Sequence, residues 1–148
     1  MATIAHLSDI HFGRVDSRII EPLVQTIEAV APTFVAVSGD LTQRARRSQF
    51  LAARQFLDRL RFPVLVVPGN HDVPLFNLAA RFIDPYGSYR RYIQKELEPV
   101  YESDELIAVG LNSARALPFH GGGRLNERQV DRAAARLKSA PDGAVRIG

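Results

Sequence analysis

The sequence predicts an α/β protein built on a buried, largely parallel β-sheet, and three observations carry that prediction. Short apolar runs recur along the chain, helical patterns separate them, and polar glycine-containing turns follow three of the runs. The composition agrees: 148 residues, 46% hydrophobic and 24% charged, suit a single domain over residues 1–148.

The strands are read first. Thr3 to Leu7, Thr33 to Ser38, Pro63 to Val67 and Leu106 to Leu111 are too short for independent helices and are bounded by turn residues. Val64-Leu65-Val66-Val67 is apolar without alternation, as a strand covered on both faces requires. Between the first two runs, Leu23, Ile27 and Val30 share a helical face, and Pro22 is tolerated only if that helix begins near it. Between the second and third, Phe50, Ala53, Leu57 and Leu60 mark another helix. The alternating order gives right-handed βαβ crossovers, with the functional loops at the carboxyl ends of the strands.

Leu75 to Leu97 reads as one or two helices broken at Asp84-Pro85-Tyr86-Gly87, forming a lid or side wall. Asn126 to Leu137 is amphipathic and reads as a packing helix, and Ala144 to Gly148 opens a further strand.

No cysteine occurs, which excludes disulfides, thiolate metal sites and a cysteine nucleophile, so any metal must sit on oxygen and imidazole. The formal charge is +3, and the 17 arginines are interspersed with acids. The densest basic stretch, Arg44 to Arg61, therefore reads as a solvated helix face rather than a nucleic-acid groove. The amino-terminal residues turn polar by Ser8 and Asp9 and suggest neither a signal peptide nor a spanning helix, so a cytoplasmic location is expected.

Chemistry concentrates after three strands. Asp9 and His11 alternate on an extended backbone and can be co-ligands of a transition metal. Asp40, after Gly39, offers two oxygens over the sheet end, a position suited to a bridging carboxylate. Asn70 offers a neutral oxygen, His71 a titratable imidazole, and Asp72 a carboxylate able to fix that ring's tautomer. His6 is out of phase with Asp9 and His11 and reads as a packed, hydrogen-bonded histidine; His120, in a glycine-rich turn, reads as a surface residue.

SDIHFG, SGDLTQ and VPGNHDVP resemble the D-x-H, G-D and G-N-H-D blocks of the calcineurin-like metallophosphoesterases, with most similarity to their cyclic-nucleotide-phosphodiesterase-like branch. The resemblance implies a metallophosphoesterase-like sandwich, of which this chain supplies largely the first sheet with its flanking helices. It implies Asp9 and His11 on a first metal, Asp40 bridging, Asn70 on a second, and His71 assisting the leaving oxygen. The cofactors would be two divalent ions drawn from Mn, Fe, Zn or Ni.

The family's later histidine strand and G-H-x-H block have no counterpart here, so the domain reads as truncated at its C-terminus, with a weakened second metal site. An apolar sheet face left open would favour self-association. The reading is a metal-dependent hydrolase of a small phosphodiester, a cyclic nucleotide or similar, acting without membrane or nucleic-acid partners. The alternative is a degenerate or truncated member that binds one metal or phosphate without turnover. Asp residues beside glycine can also be caps or turn formers, a reading that suits any single block but not three together.

Overall fold

A computed structural model describes residues 2–75, 77–115 and 123–148. Strands β1 (Ile4–Leu7), β2 (Phe34–Ser38) and β3 (Val64–Val67) form a parallel sheet in that order, with Ile4 opposite Phe34 and Ala36 opposite Leu65. Alternation divides its faces. Ala5, Leu7, Val35, Val37, Val64 and Val66 face helices α1 (Ile20–Val30) and α2 (Arg47–Arg59), where Val24, Ile27, Phe50, Ala53 and Phe56 complete the main core.

Helix α1 begins two residues before Pro22, so proline sits in the first turn, where its missing N–H is no loss. Helix α2 buries Phe50, Ala53, Phe56 and Leu57 and turns its arginines outward. Arg54 pairs with Asp58, Arg59 with Glu21 and Arg61 with Glu28, which bears out the solvated-face reading of this stretch.

The other face of the first sheet meets a second sheet. Strand β4 (Val100–Glu102) runs antiparallel to β5 (Leu106–Val109), and β5 runs parallel to β6 (Val145–Ile147). Phe34 and Leu65 pack against Leu106 and Ala108, and Phe34 stacks on Tyr101 with ring centroids 4.7 Å apart. The Leu106 run therefore belongs to this sheet and not to the parallel one. All four residues of β5 are buried, which gives the same unbroken hydrophobicity. A three-residue strand such as β4 is too short to show a period.

Helices α3 (Leu78–Ile83) and α4 (Gly87–Tyr92) flank the expected break. The hydroxyl of Tyr89, fully buried, donates to the Val66 carbonyl at 3.0 Å and fastens α4 beside β3 as a side wall. Helix α5 (Glu127–Lys138) starts with a reciprocal cap: Asn126 Oδ1 accepts Gln129 N–H and Gln129 Oε1 accepts Asn126 N–H, each at 3.0 Å. Among the described residues no helix is long and apolar enough to cross a membrane.

His6 lies on the face between the sheets, as its phase requires, and shares a 2.8 Å hydrogen bond with Ser38. It is exposed rather than packed, because it borders an open groove. His120 lies outside the described residues.

Candidate metal centre

The loops leaving β1 and β2 are stitched together. His11 N–H donates to the Asp40 carbonyl at 3.0 Å, Phe12 N–H to Leu41 at 2.7 Å, and Gln43 N–H to Phe12 at 3.1 Å. To make these bends, Asp9, His11 and Asp40 adopt left-handed backbone angles, with φ of 55°, 53° and 52°. Such angles cost an L-residue about 1–2 kcal/mol each. Three strained polar residues on neighbouring loops mark a place where chemistry outweighs local stability.

Two glycines let the loops after β2 and β3 approach. A methyl on Gly39, itself at φ 89°, would come within 2.9 Å of the Gly69 Cα, and one on Gly69 would fall 2.0 Å from Asp40 Oδ1. In that space His71 N–H donates to Asp40 Oδ1 at 2.9 Å. The rings of His11 and His71 meet edge to face with centroids 4.7 Å apart. One ligand atom each from His11, Asp40 and His71 lies within 4.8 Å of the others. His11 Nδ1 is buried with no hydrogen-bond partner. An unpartnered buried imidazole nitrogen beside a carboxylate is an arrangement that a divalent cation would satisfy.

The His71 ring is oriented by a backbone oxygen. Its Nδ1 lies 2.9 Å from the Gln43 carbonyl, which can only accept, so Nδ1 carries the proton and Nε2 is the free atom. Asp72 does not fix this tautomer. Its carboxylate turns inward, fully buried, and accepts Thr42 N–H at 2.8 Å, the Thr42 hydroxyl at 2.9 Å, Gly69 N–H at 2.9 Å and Leu41 N–H at 3.2 Å. Burial pushes this carboxyl above its usual range, and the four donors pull against that rise. Asp72 ties the second loop to the third and acts on the site through the backbone.

A model of the calcineurin-like phosphoesterases matches residues 2–141. The chain belongs to that family. A glycerophosphodiester phosphodiesterase, GpdQ, of Enterobacter lignolyticus (strain SCF1) is 35% identical over 80 residues. The match covers 47% of this chain and 29% of that relative, so the chain spans well under two thirds of it.

Within this phosphoesterase framework, the expected residues fall into two groups. His11, Asp40 and His71 converge. Asp9 stands at the rim, its side chain 65% exposed, with Oδ1 3.6 Å from His11 Nε2 and Oδ2 receiving the Ser8 hydroxyl. Asn70 opens the turn before His71 and is exposed. A 390 Å³ cavity adjoins Asp9 and His11, walled by Leu7, Ile20 and Leu23 and edged by Arg14. Arg44 and Arg46, considered from sequence as neighbours of the site, have exposed side chains, and their backbone N–H groups bind the Gln49 carboxamide. Gln43 and Thr42 were the residues sequence reasoning missed. Both stand in the SGDLTQ block, but a role exerted through a carbonyl or a buried hydroxyl leaves no trace in residue type.

Proposed function

We propose that this site hydrolyses a small phosphodiester through a dinuclear divalent metal centre, within one domain over residues 1–148. The observation that carries the reading is the convergence of His11, Asp40 and His71 from three separate loops. A bound metal supplies charge stabilisation to the phosphoryl oxygens and lowers the pKa of water. His11 and Asp40 would hold the first ion together with Asp9, and Asn70 a weaker second one, with Asp40 between them.

The remaining chemistry belongs to the chain. With Nδ1–H held by Gln43, protonated His71 presents Nε2–H toward the leaving oxygen, where general-acid assistance contributes roughly 10²–10⁴-fold. Arg14 faces the cavity and offers a cation to phosphoryl charge, while the apolar wall excludes water and takes the organic part of the ester. The relative's name favours a glycerophosphodiester, and the sequence resemblance favours a cyclic nucleotide; both are small phosphodiesters with an uncharged organic arm.

Hydrolysis of a chromogenic phosphodiester in manganese tests this reading. Wild type should turn over, and Asp40→Ala should lose at least about 100-fold. Equal rates would refute it. A second reading, one bound metal without turnover, is favoured by the single cluster of such ligands among the described residues. It predicts manganese binding with no hydrolysis by wild type.

A further inference from the structure

A cleft of 610 Å³ opens beyond the carboxyl end of β5, and none of the residues assigned to the metal centre lines it. It lies beside the third loop's strand, since Gly110 packs so closely on Val67 that a Cβ there would meet it at 2.7 Å. Its walls come from α4, residues 95–98, the loop 112–115 and the amino end of α5.

The polar groups that build these walls are bonded to one another. The Tyr86 hydroxyl donates to the Ala114 carbonyl at 2.6 Å, and Gln129 Nε2 donates to the Asn112 carbonyl at 2.9 Å. Arg90 pairs with Asp84 at 2.9 Å and Arg132 with Glu98 at 2.7 Å. The loop is thereby fixed between two helices before any ligand arrives, which removes part of the ordering cost of binding.

Three cations are left over. Lys95, Arg115 and Arg124 line the cleft, and among the described residues none has a carboxylate partner. Arg115 is half-buried as a residue and, among the described residues, has no counter-charge. The one unpaired acid in the lining is Glu96, whose Oε1 accepts the Glu98 N–H at 2.9 Å. Three positive charges against one negative leave two, the charge of a phosphomonoester. Two guanidiniums present the planar, forked donors that match phosphate oxygens.

We infer that this cleft binds a phosphate dianion, either inorganic phosphate or the phosphate group of a small monoester, through Lys95, Arg115 and Arg124. Phosphodiester hydrolysis releases ligands of this class, but the binding does not depend on that reaction.

The test uses the full chain, freed of metal by chelator and dialysed, and titrated by calorimetry at low ionic strength with inorganic phosphate and with glycerol 3-phosphate. Saturable binding is expected, weakened roughly tenfold by Arg115→Gln and by Arg124→Gln and left intact by Asp40→Asn. Lys95→Gln, at an exposed position, repeats the test should an arginine variant fail to fold. Tighter binding of glycerol 3-phosphate assigns an organic phosphate and equal affinity assigns the free ion; both support the site. No saturable binding, binding unchanged in all three cleft variants, or binding lost in Asp40→Asn would overturn it, the last without touching the hydrolytic reading.

Discussion

The Asp72 carboxylate grips Thr42 by two bonds, accepting its backbone N–H at 2.8 Å and its hydroxyl at 2.9 Å, while its second oxygen accepts Gly69 N–H at 2.9 Å. One buried side chain thus fixes the spacing of the loops that carry Asp40 and His71. Asp72→Ala should destabilise the fold by about 3 kcal/mol or more, since it leaves several buried donors unsatisfied at about 1–3 kcal/mol each. Urea denaturation checks this. Unchanged stability with lost turnover would return Asp72 to the role of tautomer setter.

Gly69→Ala tests the close approach of the loops. The added methyl would fall 2.0 Å from Asp40 Oδ1 and 2.2 Å from Asp40 N, so Asp40 must move. Overpacking of this kind costs about 1–3 kcal/mol, and manganese affinity should fall with it. Gly143→Ala, where φ is 84° and no atom lies within 4 Å, is the control: it should cost about 1–2 kcal/mol of backbone strain and leave affinity untouched.

The strands β1, β2 and β3 were legible as short apolar runs bounded by turn residues, and the helices α1, α2 and α5 by their apolar period. The second sheet was not, since β4 is too short to show alternation and β5 is buried on both sides like a parallel strand. At the site, the converging residues were legible by type and order. Their hydrogen bonds were not: that the Gln43 carbonyl orients His71, and that Asp72 turns onto Thr42 and Gly69, are contacts with backbone groups of neighbouring loops that residue identity does not announce.

Glu98 should make part of the stability depend on pH. Burial would raise its carboxyl, but hydrogen bonds from Gln129 and Arg132 outweigh that and hold it below its ordinary value of 4.5. A depressed acid stabilises the fold above its unfolded pKa and loses that contribution as pH falls through the folded value. Thermal unfolding of Glu98→Gln and wild type should therefore differ most near neutrality, by about 1 kcal/mol or less, and the gap should shrink as pH falls below the ordinary carboxylate range. A gap that persists in acid would contradict this.

The groove between the sheets is lined by the half-buried Ile4, Val67, Leu111 and Ile147 around 540 Å³ of space. Among the described residues, β1, β3 and β6 are edge strands that line it. Apolar surface flanked by open strand edges promotes association, so the 148-residue chain should self-associate in light scattering. A monodisperse monomer that binds no hydrophobic dye would contradict this.

The central claim is that His11 and Asp40 are brought together, beside His71, to hold a divalent cation. Calorimetric titration of the metal-free chain with manganese tests it most directly. Saturable binding is predicted, with His11→Ala and Asp40→Ala each weakening it by about 100-fold or more while retaining the wild-type circular dichroism spectrum. Binding of equal strength in wild type and both variants, or none in a folded wild type, would contradict the claim.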